Sequence, residues 1–299
     1  MLYWHNKLCF LHFFTVEIIV ALKKYLTHNF DIEDAELISV IDELPLWSAP
    51  FGLKLLDTIR LKQNINALDI GCGLGFPVIE LAQRLGESSR VFGIDPWEGA
   101  IERSLFKIRK YQINNVKIIK GIAEELPFED SFFDLIVSNN GINNVQNMER
   151  ALWECARISK PNTQLVLTLN LEDTMIEFYQ VFEQVLKENN LNNEIIKMKE
   201  QIYSKRKPLS EIKVLLKSVG FKVIKIKHDK FYLRFVDATT MFNHLLIKYW
   251  FLSGWKSILD NAHLEKIFNE AESKLNDNAK EKGEIQLTVP FVTIDCVKV

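Results

Sequence analysis

The chain has 299 residues, 47% of them hydrophobic, and a formal net charge of −2. That is enough for one large α/β domain or two small ones with a full apolar core, and the charge balance excludes a polyanion binder of the nucleic-acid type. Its four cysteines (Cys9, Cys72, Cys155, Cys296) are scattered, with no C-x-x-C pair and no His/Cys cluster at zinc spacing, so free thiols, a cytoplasmic location and no metal are expected.

In chain order, residues 1–30 read as one apolar helix. Leu8 to Leu22 is rich in Phe, Ile, Val and Leu behind Lys7, which has the flavour of a signal peptide. His12 and Glu17 interrupt it, no small-residue cleavage site follows, and the run is short of a membrane span. An amphipathic helix packed on the domain is the first reading; peripheral membrane contact through residues 1–25 is the second. Asp31 to Ile41 reads as a short helix. Leu44 to Leu61 carries Trp47, Pro50 and Phe51 ahead of a helical period that ends at Lys62-Gln63-Asn64.

The run Ala67-Leu68-Asp69-Ile70-Gly71-Cys72-Gly73-Leu74-Gly75-Phe76-Pro77 follows. An apolar strand ends near an acid, three glycines come at alternate positions, and Pro77 suits the first turn of a helix. Glycine serves where a backbone turns tightly or a ligand comes close, so this is a nucleotide-type site at the mouth of a parallel strand. The spacing is not the G-x-G-x-x-G of dinucleotide sites, and there is no Gly-Lys-Ser/Thr of a P-loop. Cys72 reads as packing.

About 20 residues on, Arg90-Val91-Phe92-Gly93-Ile94-Asp95 is a second apolar run ending in an acid. A carboxylate there accepts from ribose hydroxyls, or caps the helix that starts near Pro96. A third stretch pairs Gly121-Ile122-Ala123-Glu124-Glu125-Leu126-Pro127-Phe128 with the strand Phe133-Asp134-Leu135-Ile136-Val137-Ser138-Asn139. Strands are predicted near 66–70, 90–95, 116–120, 133–138, 164–170, 221–227 and 287–299. Helices are predicted near 77–85, 98–112, 147–159 and 209–219, with Lys160-Pro161-Asn162-Thr163 as a turn. The alternation argues a parallel sheet covered on both faces.

These three stretches together resemble the class I S-adenosylmethionine-dependent methyltransferases, whose first motif reads acid-x-G-x-G-x-G. The nearest branch is the small-molecule one, the quinone- and sterol-type (type 11) enzymes. The resemblance spans roughly residues 65–170. It implies a Rossmann-like, mostly parallel seven-stranded sheet with an antiparallel last strand, and S-adenosyl-L-methionine as cofactor. Asp69, Gly71, Cys72, Gly73 and Gly75 then lie beside the methionine part, Asp95 and Pro96 at the ribose, Ile122, Ala123 and Glu124 at the adenine, and Asn139 near the methyl. Ile122 departs from the family's usual aspartate, which leaves adenine recognition to backbone amides and apolar contact. Residues 1–64 are expected as N-terminal helices and cofactor lid, with Trp47 or Phe51 either closing on the cofactor or stapling the core. Residues 65–299 form the methyltransferase domain.

Helical insertions at 171–208 and 232–284 are expected to cap the substrate. The second is dense in aromatics, including Phe242, Tyr249, Trp250 and Trp255, and holds His244, the candidate base. Ordinary core is the plainer meaning of such aromatic spacing. Lysines and arginines crowd residues 197–234, a solvated face or a rim for an acidic or lipid-like partner. The expected activity is methyl transfer to the carbon or oxygen of a small apolar or amphipathic molecule, with no nucleic acid involved. The alternative is a non-catalytic regulatory or scaffold protein that keeps the cofactor fold.

Overall fold

The structure, a computed structural model, describes residues 25–27, 30–43 and 46–299. The membrane contact expected at 1–25 therefore lies outside the described residues, Tyr25 apart, as does the helix expected at 1–30, apart from 25–27, which are helical, and residue 30. Among the described residues seven strands are formed: β1 (Asn66–Ile70), β2 (Arg90–Asp95), β3 (Val116–Lys120), β4 (Phe133–Asn139), β5 (Ser159–Asn170), β6 (Phe221–Phe235) and β7 (Ile285–Lys298). They make one sheet in the order β3-β2-β1-β4-β5-β7-β6. β1 to β5 pair in parallel, and β7 runs antiparallel to β5, with Gln164 opposite Val297 and Asn170 opposite Phe291. This is the mostly parallel α/β sheet that the sequence implies.

Internal contacts divide the chain into two units. A sheet unit comprises residues 32–174, 202–231 and 288–299; a helical unit comprises 175–201 and 232–287 with the described residues up to Asp31.

In the sheet unit, strand side chains alternate between two cores, as a period of two requires. Leu68, Ile136, Leu165 and Leu167 face one core with Ala151, Leu152 and Cys155 of helix Met148–Ile158 and with Ile212 and Leu216 of helix Leu209–Ser218. Ala67, Leu135, Val137 and Val166 face the other, with helices Ser48–Leu56, Val78–Leu85 and Glu98–Tyr111. Helices on both faces are why β1 and β4 read as nearly unbroken apolar runs. Residues 160–163, expected as a turn, belong to β5. Pro161 lacks an N–H and Asn162 has a φ of +68°, so the start of the strand is irregular and its register with β4 shifts between Phe133 and Leu135.

In the helical unit, the insertion residues 171–208 give helices Ile176–Glu188 and Asn192–Lys205, and 232–284 gives Ala238–Asn243, Leu245–Trp250, Leu252–Lys256 and Asn261–Lys282. Tyr232 and Phe235 belong to β6 rather than to the helical insertion. The aromatics pack on one another. Trp255 stacks on Phe178 at 3.8 Å and Tyr25 on Phe242 at 4.9 Å, while Phe242 also meets Phe268 edge-on. The Trp255 indole N–H donates to the Tyr179 hydroxyl. The Tyr25 hydroxyl donates to Glu272 Oε2 at 2.7 Å, and Thr239 donates to the other oxygen at 2.6 Å. Phe242 and Trp255 are fully buried. The plainer meaning holds for them: they are core, with no ring face left to line a pocket.

Among the described residues, no helix is long and apolar enough to cross a membrane.

Candidate cofactor site

The carboxyl ends of β1, β2 and β4 converge on the glycine loop. Gly71, Gly73 and Gly75 all have positive φ, at +76°, +48° and +101°, where side chains are strained. Gly71 has a second reason to be glycine: a Cβ there would stand 2.9 Å from the Cα of Gly141, in the loop after β4. A Cβ on Gly73, by contrast, would meet no atom within 4 Å. The amides of Gly71 and Cys72 both donate to the Ile94 carbonyl of β2, and the Ser104 hydroxyl donates to the Gly73 carbonyl at 2.9 Å.

Asp95 ties these parts together. Its Oδ2 accepts the Gly73 amide at 2.8 Å and its Oδ1 accepts the Trp97 amide at 2.9 Å. Trp97, not Asp95, is the N-cap residue of helix Glu98–Tyr111. Burial pushes the Asp95 carboxyl above its usual range, and the two amides hold it back. Pro96 beside it is exposed.

Asp69 is fully buried at the end of β1, and neither of its oxygens has a hydrogen-bond partner. Burial first, and then the charge of Asp95, push its pKa up to about 8; the Val78 amide, outside hydrogen-bond geometry, offsets only part of this. An orphaned buried carboxyl is costly. Cys72 is buried with its Sγ against Gly93, and burial raises its thiol pKa well above the usual value. It packs; it is no nucleophile.

On the β3 side, Ile122 is 48% exposed while Ala123 is buried. Glu124 accepts the amides of Gln146 at 2.7 Å and Asn147 at 3.0 Å, so its carboxylate fixes the loop that leads into helix Met148–Ile158. At the tip of β4, Asn139 donates to the Ser48 carbonyl and accepts from the Thr168 hydroxyl. That joins helix Ser48–Leu56 to the strand tips. Phe51 of this helix is fully buried against Trp47, Phe231 and Phe291, so it staples the core.

By composition the asparagines after β4 suit a turn, but the structure gathers Asn140 and Asn143 with Asn170 into a polar cluster beside Asn139. Asn140 Oδ1 accepts from the Asn143 side chain and from the Asn170 amide. Asn143 also donates to Asn170 Oδ1, and Asn170 donates to Thr174. Asn143 Oδ1 is buried without a partner. The signal was present in Thr168-Leu169-Asn170: polar residues at alternate positions share one face of an otherwise apolar strand. Ser104 carried no signal, because a serine inside a helix looks like any other.

His244 belongs to the helical unit, between helices Ala238–Asn243 and Leu245–Trp250. Its ring meets Phe235 at 5.2 Å, its Nδ1 is buried without a partner, and burial lowers its pKa.

Residues 61–272 match the family described as "Methyltransferase domain", whose methyl donor is S-adenosylmethionine. The chain is 34% identical over 127 residues to the demethylmenaquinone methyltransferase of Bacillus cereus (strain ATCC 10987), covering 42% of this chain and 54% of that one. It thus spans about half the length of the curated relatives it matches. Among solved structures it is similar to the YcgJ protein of Bacillus subtilis, with a TM-score of 0.53, 18% identity, and 84% of this chain and 98% of that one covered. It is also similar to geranyl diphosphate C-methyltransferase of Streptomyces coelicolor A3(2), solved with Mg2+, geranyl diphosphate and S-adenosyl-L-homocysteine. There the TM-score is 0.52 and the identity 17%, with 87% of this chain and 82% of that one covered. At those identities the likeness is one of fold. With the family match running over residues 61–272, through the glycine loop and Asp95, this chain belongs to the methyltransferase-domain family.

Proposed function

We propose that this chain transfers a methyl group from S-adenosylmethionine to the carbon or oxygen of a small, apolar or amphipathic molecule. The observation that carries the reading is the carboxylate of Asp95 held at the mouth between β1 and β2, bonded to the Gly73 amide. The residues fit the donor. Each Asp95 oxygen accepts one amide and keeps a lone pair for a ribose hydroxyl. The orphaned oxygens of Asp69 are acceptors for an ammonium or a water of the methionine part. Gly73 leaves room for close approach of a ligand. Exposed Ile122, beside buried Ala123, offers an apolar edge to the adenine, and Glu124 acts by fixing the loop behind it.

When bound, the cofactor supplies a sulfonium methyl for in-line displacement with a neutral leaving group. The protein's share is then positioning and exclusion of water. Asn139, pinned between Ser48 and Thr168, fixes the tip of β4 for that purpose. The name of the curated relative, demethylmenaquinone methyltransferase, supports an amphipathic ring as acceptor.

Calorimetry with S-adenosylhomocysteine, on the native chain and on Asp95→Ala, tests cofactor use. No binding, or binding indifferent to that change, defeats the reading. Mass spectrometry of metabolites from cells with and without the protein, searched for the gain of one methyl group, then finds the acceptor.

A further inference from the structure

Residues 202–231 carry nine lysines and arginines against two acids, in a chain whose formal net charge is −2. The structure lays most of this stretch along one border of the sheet unit: helix Leu209–Ser218, a turn at Gly220, and then β6, the outermost strand. Lys213, Lys217, Lys222, Lys225 and Lys227 are all exposed. None of the five forms an ion pair among the described residues. The two acids are engaged elsewhere. Glu211 accepts from the Tyr203 hydroxyl at 2.7 Å, and Asp229 pairs with Lys54 at 2.9 Å. Lys298 adds a cation where β6 begins, donating to the Val219 carbonyl and lying over the Phe221 ring.

Lysines on an outer strand discourage strand-to-strand aggregation, which accounts for the charges of β6. It does not account for Lys213 and Lys217 on the neighbouring helix. Nor does it account for the exposed aliphatic side chains adjacent in sequence to the cations, Val214 beside Lys213 at 66% and Ile224 beside Lys225 at 50% exposure. An edge shaped only to repel would carry a charge at 224. Ammonium groups interspersed along the same border with exposed aliphatic chains suit an anionic bilayer, with the charges at the headgroup phosphates and the aliphatic chains at the acyl boundary. Nucleic-acid surfaces favour arginine forks and stacking aromatics, whereas all five cations here are lysines.

We propose that the border formed by helix Leu209–Ser218 and β6 docks on an anionic membrane surface. The test uses the full chain in sedimentation with vesicles of phosphatidylcholine alone and of phosphatidylcholine mixed with phosphatidylglycerol. The chain is expected to pellet with the mixed vesicles at about 50 mM salt and to be released at about 500 mM. The variant Lys213→Gln/Lys217→Gln/Lys222→Gln/Lys225→Gln should bind the mixed vesicles up to roughly a thousandfold more weakly. Val214→Ser/Ile224→Ser should bind more weakly while keeping the salt dependence. Lys213→Gln/Lys217→Gln alone, which leaves the sheet untouched, should lose an intermediate amount. Three results overturn the proposal: no binding to the mixed vesicles, binding indifferent to the glutamine substitutions, or single-stranded RNA displacing the vesicles through the same lysines.

Discussion

The Gly73 amide donates to Asp95 Oδ2 at 2.8 Å, so the acid at the end of β2 holds the loop that follows β1. One carboxylate thereby shapes the glycine loop and faces the site with its remaining lone pairs. Asp95→Ala removes the acceptor for two amides and for a ribose diol. Hydrogen bonds to a charged group contribute about 1.5–3 kcal/mol each, so affinity for S-adenosylhomocysteine should fall at least about thirtyfold. Asp95→Asn keeps one acceptor oxygen and should fall less. Calorimetry on both variants checks the order.

The glycines separate fold from site. At Gly73 a methyl group meets no protein atom within 4 Å, and the φ of +48° is a strained region that alanine can still enter. Gly73→Ala should cost about 1 kcal/mol of stability while its methyl intrudes on the ligand's space and weakens cofactor binding. At Gly75 the φ is +101°, and a Cβ stands 2.7 Å from Ile79 Cδ1 and 3.0 Å from Ser104 Oγ. Gly75→Ala should lower the urea midpoint clearly more than Gly73→Ala does. Equal midpoints for the two would contradict this account of the loop.

What the sequence disclosed follows from range. β1, β2 and β4 were legible because strands buried on both faces must be apolar throughout. The glycine loop was legible because three positive φ values leave little choice of residue. Asp95 showed itself as an acid closing an apolar run. The Asn140–Asn143–Asn170 cluster was illegible as a unit, since its partners come from β4 and β5 and only the parallel register brings Asn139 opposite Thr168. The loop contacts of Glu124 were illegible for a related reason: its partners, the amides of Gln146 and Asn147, lie 22 and 23 residues away. The aromatics of 232–284 gave density but no direction, and Phe242 and Trp255 turned out to be core.

Asn140, buried in the loop after β4, should be among the costlier loop positions to change. Its φ is +59°, a region asparagine tolerates better than alanine. Its side-chain oxygen accepts from Asn143 and from the Asn170 amide, both buried. Asn140→Ala leaves the Asn170 amide unsatisfied, at about 1–3 kcal/mol with partial rescue by water, and strains the backbone as well, while the Asn143 side chain keeps its bonds to Asn170. A loss of roughly 2–4 kcal/mol in urea unfolding is expected. Asn144→Ala removes only a 3.3 Å bond to a carbonyl from an exposed position and should cost under about 1 kcal/mol.

Asp69 makes a prediction about pH. Its carboxyl is raised from 3.8 to about 8 by burial and by the charge of Asp95. Between those two values the folded chain binds a proton that the unfolded chain has released. The unfolded state therefore holds fewer protons, and the contribution of this group to stability falls as pH rises. The slope is about −1.4 kcal/mol per pH unit over the window from about 4 to about 8, and flat outside it. Asp69→Asn removes this titration while keeping the shape of the side chain, and the charges of Asp95 and every other group are common to both proteins. The stability of the variant relative to the native chain should therefore climb with pH up to about 8 and then level off. Urea midpoints of both proteins, taken from about pH 5 to about pH 9, measure that gap directly. A gap that stays constant with pH would mean that Asp69 is not the buried proton holder of this loop.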